Sequence, residues 1–66
     1  MTKGKIKWYN ESKGYGFIIT DAGEDVFVHR SGFSDNYGYI SDDQRVVFEV
    51  QQGDKGLTAV HVKQDQ

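Results

Sequence analysis

The sequence predicts an all-β fold, with five short strands closed into a small barrel. Three observations predict it. β-rich runs are separated by glycine and polar clusters roughly every ten residues. No long run shows helical periodicity. Two of the runs are apolar on both faces, in a chain too short to cover both sides of a sheet.

The first strand is expected from about Gly4 to Asn10 and the second from Gly14 to Thr20, joined by the turn-forming stretch Asn10-Glu11-Ser12-Lys13-Gly14. The third is expected from Asp25 to Arg30, after a hairpin loop, Asp21-Ala22-Gly23-Glu24, whose glycine can take a positive φ. A connection rich in Gly, Ser, Asp and Asn follows from Ser31 to Gln44, with room for at most a short helical turn. The fourth strand, Arg45 to Gln51, sets Val46, Phe48 and Val50 against Val47, Glu49 and Gln51, one buried face against one mostly wet one. The loop Gln52-Gly53-Asp54-Lys55-Gly56 leads to a last strand, Leu57 to Lys63, and Gln64-Asp65-Gln66 are expected to fray. With no internal repeat and no break in composition, residues 1 to 66 read as one domain.

A chain of 66 residues has room for one thin core, and with no cysteine it forms neither a disulfide nor a thiolate metal site. A reducing cytosol suits such a protein. The start, Met1-Thr2-Lys3-Gly4-Lys5, lacks the apolar run of a signal peptide, and no segment approaches membrane-spanning length. The expectation is a cytoplasmic protein with no membrane partner.

The net charge of -2 argues at first against a phosphate-bearing ligand. Its distribution is uneven. Residues 1 to 13 set Lys3, Lys5, Lys7 and Lys13 against Glu11 alone, whereas Arg30, Arg45, Lys55 and Lys63 face nine carboxylates in the remainder. A lysine-rich strand on an acidic body can attract a phosphate chain through its local potential. The same lysines also serve to protect a strand edge, and charge alone does not choose between the two.

The two-sided strands are more informative. Tyr15 and Phe17 share one face of the second strand, with Gly16 and Ile18 on the other; Phe27 and His29 share one face of the third, opposite Val26 and Val28. A barrel has one interior, so one set must face water. Ile6, Ile18, Val26 and Val28 join Val46, Phe48 and Val50 as an aliphatic core, which leaves Tyr15, Phe17, Phe27 and His29 outside. In the reverse arrangement a tyrosine and a histidine inside a tiny barrel would each need a buried hydrogen-bond partner. An exposed group of rings marks a binding surface, and flat π faces beside ammonium groups suit unpaired bases on a phosphate chain. In the first strand, strict alternation puts Trp8 inside with Ile6 and leaves Lys5, Lys7 and Tyr9 outside, while a bulge near Lys7 would reverse this.

Lys13-Gly14-Tyr15-Gly16-Phe17-Ile18 fits the first ribonucleoprotein signature, with Thr20 where that pattern has a further aromatic. It is preceded by Gly4-Lys5-Ile6-Lys7-Trp8-Tyr9-Asn10 and followed by Val26-Phe27-Val28-His29. Together these segments resemble the cold-shock protein family, and the likeness extends through Val46-Val47-Phe48-Glu49-Val50 to the closing Ala59 to Val62. The resemblance implies a five-stranded antiparallel barrel of the OB type that binds single-stranded RNA and DNA. It implies contacts at Lys7, Trp8, Lys13, Tyr15, Phe17, Phe27 and His29, with Lys5 and Asn10 near the site, and so makes Trp8 a surface residue. It further implies an RNA chaperone, independent of ATP, that acts in cold adaptation and in transcription or translation.

Departures from the family pattern are Arg30, where an aromatic usually follows the histidine, and Asp43 and Leu57, where glycine and proline are common. Arg30 remains a candidate contact, by stacking or by pairing with phosphate. Either Tyr37 or Tyr39 is a candidate for the family's loop aromatic, and Phe33 reads as core. Other chemistry has little support. His29 and His61 lie far apart without a convergent cluster, so no metal, cofactor or catalytic role is expected, and neither is a small-molecule substrate. His61 reads as an ordinary strand residue. A barrel that docks proline-rich peptides is the competing class, but it does not need lysines interleaved with its rings. A monomer is expected.

Overall fold

Alternating residues generate five strands in the computed structural model, which describes residues 1–54 and 56–65. They are β1 (Thr2–Asn10), β2 (Tyr15–Thr20), β3 (Asp25–His29), β4 (Arg45–Gly53) and β5 (Gly56–Gln64), closed into a barrel in the order β1-β2-β3-β5-β4. An odd number of strands cannot alternate direction all the way round a ring, so at least one neighbouring pair must be parallel. That pair is β3 with β5, through Phe27 beside Thr58 and Val28 beside Ala59. The other seams are antiparallel. A single 3-10 turn, Arg30–Gly32, opens the long connection.

The interior is the aliphatic set that alternation selects. Ile6, Ile18, Val26, Val28, Val46 and Phe48 are fully enclosed, joined by Ala59 and Val62 of β5. Each enclosed side chain of Val, Ile or Phe size contributes about 1.5–3 kcal/mol. The register places Ile18 opposite both Ile6 and Val26, so three strands deliver their apolar faces to one layer.

Two one-residue slips depart from simple alternation. In β1, Ile6 pairs with Ile18 but Trp8 pairs with Phe17, so Lys7 is the extra residue of a bulge. Trp8 is thereby turned out, and Tyr9 is turned in against the core and the ring of Phe33, correcting the outside position that strict alternation gives Tyr9. In β5 the pairing shifts between Val47 with Lys63 and Glu49 with Val60. His61 falls in that shift with φ 54°, so it is a bulge residue in the left-handed region and not an ordinary strand residue.

Three further expectations are corrected. Val50 is 37% exposed: it keeps inward parity opposite Ala59, but it lines an open cleft with Val26 and Leu57 where the barrel wall ends. Gln64 pairs with Val46 as the last residue of β5, and Asp65 N–H donates to Arg45 O at 3.0 Å, so both are tied to β4, against the expected fraying. The expected loop from Gln52 to Gly56 is mostly strand, since Gln52 pairs with Leu57 and Gly53 with Gly56. Lys55, expected in that loop, and Gln66, expected to fray, lie outside the described residues. Asp43 has φ 64°, the backbone region that explains why glycine suits this position.

Candidate nucleic-acid interface

Cross-strand register builds the outer face of β1, β2 and β3. Phe17 sits between Trp8 and Phe27, and Tyr15 lies opposite His29. The four larger rings form a closed cycle. Centroids are 5.8 Å apart for Trp8 and Tyr15, 5.7 Å for Tyr15 and Phe27, 5.8 Å for Phe27 and Phe17, and 5.6 Å for Phe17 and Trp8. Tyr15 and Phe27 stack at 28°, whereas Phe17 meets Phe27 edge-on at 78°. Such spacings favour ring–ring attraction and fix each ring against its neighbours. Trp8 remains 38% exposed, and Tyr15, Phe17, Phe27 and His29 line a shallow cleft of ≈ 350 Å³.

Gly16 makes this geometry possible on the opposite side of the wall. A Cβ at Gly16 would lie 2.7 Å from Tyr9 Cα, so only glycine lets the bulged part of β1 approach β2. Trp8 therefore reaches the platform because β2 carries no side chain at that point.

The basic residues differ in how they are held. Lys7 Nζ lies 3.4 Å from the Asp25 carboxylate, with both side chains about half exposed. An exposed pair of this kind contributes roughly 0–1 kcal/mol, so a phosphate can replace the carboxylate. Lys5 and Lys13 are exposed and have no ion pair among the described residues. Asn10 is turned to the loop: its Oδ1 accepts from Lys13 N–H at 3.0 Å and fixes the backbone that carries the Lys13 ammonium.

His29 has a defined tautomer. Ser31 N–H donates to Nδ1 at 3.2 Å, so in the neutral ring the proton sits on Nε2, available to a ligand. Ser31 Oγ also lies 3.0 Å from Nδ1. Arg30 N–H donates to Gly14 O at 2.8 Å, and its guanidinium Nη2 lies 3.5 Å from Glu11 O.

The two loop tyrosines separate. Tyr37 is only 6% exposed, packs edge-on against Phe33 at 4.8 Å and donates its hydroxyl to Gln44 Oε1, so it is corrected from candidate contact to core residue. Burial pushes its phenol up to about 12. Tyr39 is 74% exposed and stays a candidate.

Asp25 and Ser31 were not among the candidates drawn from the sequence, yet they hold Lys7 and His29 in place. A short polar residue two positions after a histidine is a local signal for the second. The first has no such signal, because the bulge decides where Lys7 points.

A closed five-strand barrel with an outer face of rings and ammonium groups defines an OB-type nucleic-acid-binding module. The chain belongs to the cold-shock domain family: the family described as the 'Cold-shock' DNA-binding domain matches residues 2–64. It is 54% identical over 63 residues to cold shock-like protein CspG of Shewanella violacea, covering 92% of this chain and 90% of that protein. It is 48% identical over 62 residues to a cold shock-like protein of Thermotoga maritima, covering 92% and 94%. Among solved structures, drosophila Unr CSD456 superposes with a TM-score of 0.81 at 24% identity, over 98% of this chain and 26% of that one, a likeness of fold alone.

Proposed function

We propose that this protein binds single-stranded RNA and DNA across β1, β2 and β3, as a cytoplasmic monomer that holds RNA unpaired without ATP. The observation that carries the reading is the cycle of Trp8, Tyr15, Phe17 and Phe27 on one outer face, with the Lys7 ammonium held beside it by Asp25. Successive bases stack on such rings with little regard to identity, each worth about 1–3 kcal/mol, while ammonium groups follow the phosphates. A duplex keeps its bases stacked on one another and offers them no unpaired face. Binding open strands alone shifts a hairpin toward its unpaired form by mass action, in proportion to protein concentration over Kd. That is the work of an RNA chaperone, and a role in cold adaptation and in transcription or translation accords with the cold shock-like relatives.

Titration with a short oligothymidine, read by Trp8 fluorescence at fixed salt, tests the reading. Saturable quenching by the single strand, with none by a matched duplex or a proline-rich peptide, is the expected result. Quenching by the peptide alone would replace this function with peptide docking.

A further inference from the structure

The long side chain after His29 does not lie over the ring platform. Arg30 folds back across the β1–β2 loop, where Gly14, at φ +76°, leaves room for it: a Cβ at Gly14 would sit 2.7 Å from Nη2 and 3.1 Å from Nε. The guanidinium has one long contact, to Glu11 O at 3.5 Å, and faces no carboxylate among the described residues. Lys3, Lys7 and Arg45, in contrast, each lie beside an aspartate. The loop that Arg30 covers also carries Lys13, whose backbone Asn10 fixes and whose ammonium has no carboxylate partner among the described residues.

We infer that Arg30 and Lys13 together form a two-cation clamp for one backbone phosphate of the bound strand, where it passes the Tyr15–His29 end of the platform. A guanidinium presents five donors in a planar fork that matches phosphate oxygens, and here most of them are uncommitted. Two cations without carboxylate partners, held by the same loop, leave a local positive charge on an otherwise acidic protein. A phosphate neutralises it with no internal ion pair to break. In this position Arg30 acts on the chain's sugar–phosphate path and adds no base-stacking surface. The inference rests on the single-strand reading of the platform.

The test is a salt titration of oligothymidine binding for the wild type, Arg30→Gln, Arg30→Lys and Arg30→Phe, with Phe27→Ala as the control for the platform. Arg30→Gln should weaken binding by about tenfold at low salt and lower the log–log salt slope, by less than the roughly 0.7 of a whole phosphate because Lys13 stays on it. Arg30→Lys should restore the slope, and Arg30→Phe should not. A set of oligothymidines, each with one neutral methylphosphonate linkage, should contain a position at which neutralisation weakens the wild type more than it weakens Arg30→Gln, which keeps only Lys13 on that phosphate. An unchanged slope in folded Arg30→Gln, or affinity restored by Arg30→Phe and not by Arg30→Lys, overturns the clamp and makes Arg30 either a bystander or a stacking residue. Weaker binding by Phe27→Ala in the same series keeps the platform reading whichever way Arg30 falls. Failure of the wild type to bind the strand sinks both.

Discussion

Ile6 and Trp8 are two positions apart on β1, yet Ile6 is sealed in the core and Trp8 stands on the outer face. In an unbroken strand such residues share a side. The extra residue, Lys7, breaks the alternation and gives the fourth ring to a platform that β2 and β3 alone would leave at three. One bulge thus serves the core and the ligand face at once.

Phe17 touches both Trp8 and Phe27 and is the centre of that platform. Phe17→Ala should weaken oligothymidine binding by about 1–3 kcal/mol, the stacking contribution of one base, and leave a cooperative thermal transition. Equal affinity in a folded variant would remove Phe17 from the contact surface.

Lys7→Gln should lower the log–log salt slope by about 0.7 if Lys7 neutralises one phosphate of a single strand. Its loss of the Asp25 pair should change folding stability by no more than about 1 kcal/mol, because both groups are exposed. Salt titrations and denaturant unfolding measure the two effects separately. A slope equal to the wild type's would show that Asp25 keeps Lys7 engaged in the complex.

Gly16 faces the bulged segment with no space for a side chain. Gly16→Ala must push the backbones of β1 and β2 apart, and should cost about 1–3 kcal/mol or more, a large share of the stability of so small a domain. Denaturant unfolding checks it. A variant as stable as the wild type would mean that the wall yields easily and that the bulge is not held by this contact.

The barrel core was legible because Ile6, Ile18, Val26, Val28, Val46 and Phe48 follow a period of two, and the platform because a barrel so small has one interior. What escaped depends on counts of residues between strands. Alternation cannot say where an extra residue sits, so the Lys7 bulge stayed open and the His61 bulge went unseen. Nor does alternation mark where the barrel wall ends, which is why Val50 has the parity of the core and the exposure of the surface. Within the long connection no period operates at all. There Tyr37 and Tyr39 look equivalent in sequence, and only the packing of Phe33 and the reach of Gln44 separate them.

Tyr37 also ties stability to alkaline pH. Its phenol rises from an ordinary value of 10.0 to about 12 because burial leaves the phenolate oxygen poorly solvated. The folded state therefore holds this proton more tightly than the unfolded state does. Its contribution is fully present below pH 10.0 and is lost as pH rises from 10.0 through about 12, because only the unfolded chain ionises in that interval. The loss amounts to roughly 2–3 kcal/mol across the window. Tyr37→Phe removes the ionisable group, leaving the Gln44 amide short of a donor and the protein somewhat less stable at neutral pH. Between pH 10.0 and about 12, however, its stability should fall less steeply than the wild type's, by about one proton in the limiting slope. Denaturant midpoints for the two proteins across that range measure the difference. Parallel curves would mean that the Tyr37 phenol ionises as readily in the folded barrel as in the unfolded chain, and would place its hydroxyl in contact with water.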